Sequence, residues 1–158
     1  PEIVKAARVT RGALYHHFED KKALLRAVVE QDCEAVGREI EKGSEGADNI
    51  MDALKSGSSA FVKAITAHGR VRTILIEGPA VLGQKELLAI EDRYTRLSLK
   101  QGLEAALEQG AIKPLPLQPM VELVSSMLDG AALKVEAGIG FAEIEPIVHA
   151  FNDGLAAA

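Results

Sequence analysis

The sequence has a single cysteine, Cys33, no tryptophan, and only two tyrosines and four phenylalanines. One thiol excludes an intrachain disulfide and any zinc site built on several cysteines, and it suits a reducing compartment. No apolar run approaches the roughly 18 residues of a membrane-spanning helix. The first residues, PEIVKAARV, lack the apolar stretch of a secretory leader. There is no Gly-x-Ser-x-Gly elbow, no phosphate loop and no His-Glu-x-x-His. These absences point to a cytoplasmic protein that is not an enzyme, needs no cofactor and has no membrane partner.

What is present is mostly aliphatic. Of the 158 residues, 47% are hydrophobic and 26% charged, enough to bury a core in one large domain with a small one attached. The net charge of -5 is unevenly spread. Residues 1–30 hold six Lys and Arg against four Asp and Glu, a balance of +2, which leaves -7 on the other 128. A basic head on an acidic body is the asymmetry expected where one small module meets phosphate.

Apolar spacing predicts helices throughout. Residues 2–7 read as the end of one, and Thr10 caps a second that runs to about Phe18. Asp20 caps a long helix over about 21–41, with Leu24, Leu25, Val28, Val29 and Val36 inward. The stretch 42–49, KGSEGADN, is the clearest linker, so the chain divides into 1–41 and 42–158. Further helices are expected over 50–68, interrupted but not ended by Gly57, Ser58 and Ser59, over 71–77, over 85–110 with Gly110 as terminator, over 117–137 and over 142–155. GPAVLG at 78–83 forms a bend and KPLPLQP at 113–119 a proline-rich connector. The expected class is all-α.

The stretch with the most chemistry is TRGALYHHFEDKKALL, residues 10–25. Leu14 and Phe18 are four apart and face inward, and Thr10, Arg11, Tyr15 and His16 face outward with His17 beside them. Free N–H groups and the helix dipole at Thr10, Arg11 and Gly12 favour a phosphate. Arginine can also read guanine in the major groove. Gly12 permits close approach, and Lys21 can hold a second phosphate. With the preceding helix this makes a helix-turn-helix. By spacing alone an ordinary solvated helix fits as well. A metal-sensing role for His16, His17 or Cys33 fits poorly, because adjacent helical residues point about 100° apart. Ser125, Ser126, Asp129 and His149 could be drawn as a hydrolase set, but no nucleophile elbow accompanies them.

Residues 10–25 closely resemble the recognition helix and following turn of the tetracycline-repressor (TetR) family of bacterial regulators, matching at Tyr15, His17, Phe18, Lys21 and Leu24 among others. ILIEGPAVLG at 74–83, the segment with Glu91, Asp92 and Tyr94, and IKPLPLQP resemble the regulatory domain of one subgroup of that family. The resemblance implies a helix-turn-helix head, its first helix missing from this sequence, on a larger helical ligand-binding and dimerisation body. The chain begins without Met and in mid-pattern, which fits a missing start. Thr10, Arg11, Gly12, Tyr15, His16, His17 and Lys21 would face double-stranded operator DNA. An apolar effector pocket would draw on Phe61, Ile65, Ile74, Tyr94, Leu97, Val124 and Met127. The last two helices would pair with those of a second copy through Leu123, Leu128, Ala131, Ile144, Val148 and Phe151. The implied function is a homodimeric, ligand-responsive repressor of a palindromic operator, released by a small lipophilic or aromatic effector. A helical small-molecule-binding protein with no DNA role is the alternative.

Overall fold

The structure, a computed structural model, describes residues 20–158. Its elements follow the caps and apolar spacing. Asp20, in extended conformation, accepts a hydrogen bond from the Ala23 N–H at 2.7 Å and starts α1, Lys21–Ser44. Asn49 does the same for α2, Ile50–Thr66, through the Asp52 N–H at 2.9 Å. A π-helical turn, Val71–Glu77, leads into the short α3, Gly78–Leu82. Gly78 lies where the chain closes tightly. A side chain there would meet the Thr73 carbonyl oxygen at 3.2 Å and Leu87 at 3.3 Å. The remaining helices are α4, Gln84–Glu91, α5, Thr95–Glu108, α6, Leu117–Glu136, and α7, Phe141–Leu155.

The one long helix expected over 85–110 is two. The chain turns at Asp92–Tyr94, where the Arg93 and Tyr94 N–H groups reach back only three residues, to Ile90 and Glu91. Tyr94 takes φ -130° and ψ -86°, outside the helical region. The turn packs against α1, with Tyr94 lying against Gly37. The terminator at Gly110 is as expected. Its φ of +65° suits glycine, and the N–H groups of Gly110 and Ala111 close on the carbonyls of Leu107 and Ala106 at 3.0 and 2.9 Å. Gly57, Ser58 and Ser59 stay inside α2 and are buried.

α2 runs through the middle of the bundle and packs on α1, α5, α6 and α7. Two apolar cores flank it. One joins Val29, Cys33, Val36 and Ile40 of α1 to Phe61, Val62 and Ile65 of α2, Ile74, Leu87 and Ile90, and Leu128, Ile144 and Val148 of α6 and α7. The other is Leu54, Leu103, Ala106, Ile112, Met120 and Val121. Among the described residues there is no strand. Ile112 and Ala156 form one isolated bridge that ties the tail to the connector after α5. None of these helices is long and apolar enough to cross a membrane.

Candidate functional site

Where the two cores meet, a cavity of about 100 Å³ opens between α1, α2, α5 and α6. Ile40, Ile50, Leu54, Phe61, Leu99 and Leu128 form its apolar walls. Small residues make the room. Gly57 and Ser58 of α2 and Gly102 of α5 face it, and a side chain on Gly102 would meet Leu54 at 3.0 Å. One end is polar, formed by Glu91, Thr95, Arg96, Ser125 and Asp129. The turn at Asp92–Tyr94 produces this end, because it brings the last residue of α4 and the first two of α5 to the same wall.

The polar end is electrostatically unusual. Glu91 and Arg96 are only 7% and 8% exposed. Arg96 Nε lies 3.1 Å from Asp92 Oδ1 but without hydrogen-bond geometry, so this buried donor has no aligned partner. Neither Glu91 nor Asp129 takes part in an ion pair among the described residues, where Arg96 and Arg70 turn to Asp92 and Asp32. Burial pushes the Glu91 carboxyl up to about 7, with the Asp129 charge adding to the rise and Arg96 opposing it. Burial likewise raises Asp129 to about 6, against the pull of Arg96. The same residues, Glu91, Arg96, Ser125 and Asp129, also line an outer groove of about 450 Å³ with Pro79, Leu88, Glu122 and Leu133. They form the partition between groove and cavity.

The positions expected for a ligand are spread over the body. Phe61 lines the cavity. Ile65 and Ile74 lie in the first core, and Tyr94 packs against it from the turn. Leu97 is 41% exposed. Val124 and Met127 line a separate shallow groove of about 320 Å³ with Leu115, Leu123 and Phe151. The residues that matter most for the cavity's chemistry, Glu91 and Arg96, were not singled out as site residues by spacing. A charged residue next to apolar ones is the only sign that Glu91 in LLAIEDRY and Asp129 in SSMLDGAAL leave in the sequence.

Of the expected pairing residues, Leu123 is 73% and Phe151 58% exposed, and Ile147 joins them at 55%. Leu128, Ile144 and Val148 are instead buried within the chain's own core, with Ala131 packed against it. Thr10, Arg11, Gly12, Tyr15, His16 and His17 lie outside the described residues. Lys21 is exposed as the first residue of α1.

α1 is fastened to α4 by charge. Glu86 accepts a hydrogen bond from Arg26 Nε and lies 3.3 Å from Lys22 Nζ. The Arg26 bond, helped by Lys22, holds the Glu86 carboxyl below its ordinary range. One turn along, Arg93 donates to Glu30 at 2.7 Å. α4 thus touches α1 at one end and places Glu91 at the cavity with the other. The imagined hydrolase set does not assemble: Ser125 and Asp129 line the cavity, Ser126 donates to the Glu122 carbonyl, and His149 Nε2 pairs with Ser59 Oγ at 2.8 Å across another groove. Cys33 is fully buried, and burial pushes its thiol up to about 12.

Comparison with known proteins places this geometry. Residues 51–150 match the family model described as "Tetracyclin repressor-like, C-terminal domain", and residues 1–28 match "Bacterial regulatory proteins, tetR family". The A-factor receptor protein of Streptomyces griseus is 30% identical over 148 residues, 90% of this chain and 49% of that protein. The HTH-type transcriptional regulator UidR of Escherichia coli (strain K12) is 36% identical over 76 residues, 42% of this chain and 39% of UidR. The chain thus spans about half the length, or less, of these curated relatives. A TetR-family regulator from Rhodococcus sp. has the same fold, with a TM-score of 0.78 at 18% identity over 99% of this chain and 86% of that one. So does LfrR from Mycobacterium smegmatis in complex with proflavine, with a TM-score of 0.72 at 15% identity over 99% and 84%.

Proposed function

The chain belongs to the tetR family of bacterial regulatory proteins, and on that premise we propose that it is a ligand-responsive repressor that binds a palindromic operator as a homodimer in the cytoplasm. Residues 1–41 serve as the head and its connecting helix, and 42–158 as the effector-binding and dimerisation body, of the subgroup marked by GPAVLG. Thr10, Arg11, Gly12, Tyr15, His16, His17 and Lys21 meet the DNA, with Arg11 reading a base. The effector is a small lipophilic or aromatic molecule held in the cavity beside Phe61. The observation that carries this reading is one connection: α4 ends at the cavity in Glu91 and is ion-paired to α1, the helix that leads from the head, through Glu86, and the turn after α4 is paired to α1 through Arg93.

An effector shifts the equilibrium between two arrangements only by its differential affinity for them. Filling the cavity displaces Glu91 and the turn after it, α4 carries that displacement to Lys22, Arg26 and Glu30, and α1 tilts the head. Two heads on a two-fold axis read two half-sites, so their separation decides affinity.

The test is retention of genomic fragments by the full-length protein at several salt concentrations. Sequence-preferring, salt-dependent retention is expected, with Arg11→Ala losing about 1–3 kcal/mol of discrimination at one base position while the helical content is unchanged. Retention of no preferred sequence would leave a helical ligand-binding protein without a DNA role. Glu86→Gln tests the connection. It removes the charge that Lys22 and Arg26 share, so effector-driven release from operator should weaken while effector affinity and operator affinity without effector hold. Release at the wild-type effector concentration would show that the signal takes another route.

A further inference from the structure

We infer that the Glu91–Arg96–Asp129 end of the cavity is a head-group subsite that selects a lipophilic cation: a compact amine whose ammonium sits between the two carboxylates and whose apolar body lies against Leu54, Phe61, Leu99 and Leu128. The inference rests on the cavity's role as the effector site and names the class of effector.

The chemistry follows from which charges are already met. Arg96 has an acid of its own, Asp92, 3.1 Å from Nε. Glu91 and Asp129 have no cation paired to them among the described residues, and Glu91 is more than nine-tenths buried. An isolated carboxylate in an apolar wall is costly unless something pairs with it. The unmet charge at this end is therefore negative, and an incoming cation satisfies it where an anion meets repulsion. A neutral alcohol supplies one donor for two acids. Arg96 partly offsets both acids through space without pairing with either.

The subsite is also reachable. Glu91, Arg96, Ser125 and Asp129 border the outer groove as well as the cavity, and Glu122 stands at that outer side. A cation entering between Pro79 and Leu133 meets acids first and the apolar chamber after them. The chamber is small, about 100 Å³, against about 300–1,000 Å³ for a typical drug-sized site. A body of one ring or a six-carbon chain fits that scale.

The groups that face Glu91 and govern its proton are Asp129 on α6, Asp92 and Arg96 on its own side, and the Cys33 thiol on α1, which stays protonated. Glu91 releases its proton near pH 7 and Asp129 near pH 6, so an ammonium that needs both ionised competes with protons over that range. Its affinity must rise with pH.

The experiment is calorimetric titration of the full-length protein, without DNA, with hexylammonium, hexanol and hexanoate between pH 5.5 and 8. Hexylammonium is expected to bind, with affinity rising at least about tenfold across that range as the carboxyls ionise. Hexanol should bind more weakly and without pH dependence, and hexanoate not at all. Glu91→Gln and Asp129→Asn, which keep size and remove charge, should each lower hexylammonium affinity about tenfold and flatten its pH profile. Equal binding of hexanol or hexanoate, or an unchanged affinity in both variants, overturns the subsite. The two readings fail separately: operator retention with no amine binding removes the subsite alone, whereas amine binding that leaves a demonstrated operator complex intact upholds the subsite and removes its effector role.

Discussion

Raising the pH from 5 to 8 should destabilise the folded chain by about 2–3 kcal/mol through Glu91, and Glu91→Gln should remove that loss. The ordinary glutamate value is 4.5 and burial lifts Glu91 to about 7. Between those values the unfolded chain has released its proton and the folded chain still holds it. The folded state binds more protons, so stability falls as pH rises, and the loss is complete above about pH 7. Asp129 acts in the same direction over a lower window, from its ordinary 3.8 to about 6. Because the two acids repel each other, their losses do not simply add. Glu86 works in the opposite sense: its carboxyl is held low by Arg26 and Lys22, so its contribution is present above the ordinary range and lost in acid. The informative quantity is therefore the difference between wild type and Glu91→Gln in urea unfolding at pH 5, 6.5 and 8 and fixed protein concentration. The gap between the two should be smallest at pH 5 and widest at pH 8, with the variant gaining stability relative to wild type as pH rises. Parallel behaviour across the range would mean that Glu91 is solvated. The same instability gives a bound cation its leverage, since a ligand that pairs with the ionised acids restores what their burial removes.

Local chemistry wrote much of the fold into the sequence. Asp20 as cap, Gly110 as terminator and the proline-rich connector follow from local backbone preferences and lie where they are expected, whereas α1 continues to Ser44 and shortens the expected linker to 45–49. The break at Asp92–Tyr94 was not legible, because EDRY contains neither glycine nor proline. The turn instead accompanies a tertiary contact, Tyr94 lying against Gly37, 57 residues upstream. That miss propagates. A helix restarting at Thr95 does not inherit the phase of α4, so Leu97 turns outward while Leu99 faces the cavity. Periodicity also cannot separate the wall of a cavity from the core behind it. Phe61 and Ile65 share one face of α2, and only Phe61 borders the cavity. Glu91 and Asp129 were hardest to read, since charge normally marks a solvated face.

The second large effect concerns the exposed apolar face of α6 and α7. Leu123→Glu combined with Phe151→Glu should convert the protein to monomers at micromolar concentration and weaken operator retention by at least about a hundredfold, with the fold of each protomer unchanged. Leu123, Ile147 and Phe151 are more than half exposed, so replacing them disturbs little within one protomer. Leu123 and Phe151 border a shallow apolar groove of about 320 Å³ that Met120, Val124 and Met127 also line, and a side chain on Gly130 of α6 would meet nothing within 4 Å. Burying a large apolar side chain is worth about 1.5–3 kcal/mol. On a two-fold axis every substitution counts twice and sets like charges against each other. Losing even about 1.5 kcal/mol per copy therefore weakens association about a hundredfold. Leu128→Glu supplies the contrast. Leu128 is buried against the first core, so that variant should lose helical structure as well as pairing. Light scattering and circular dichroism on both proteins separate the two cases. A doubly substituted protein that remains dimeric would move the interface off α6 and α7, and a monomer that still holds operator at wild-type strength would show that a single head suffices.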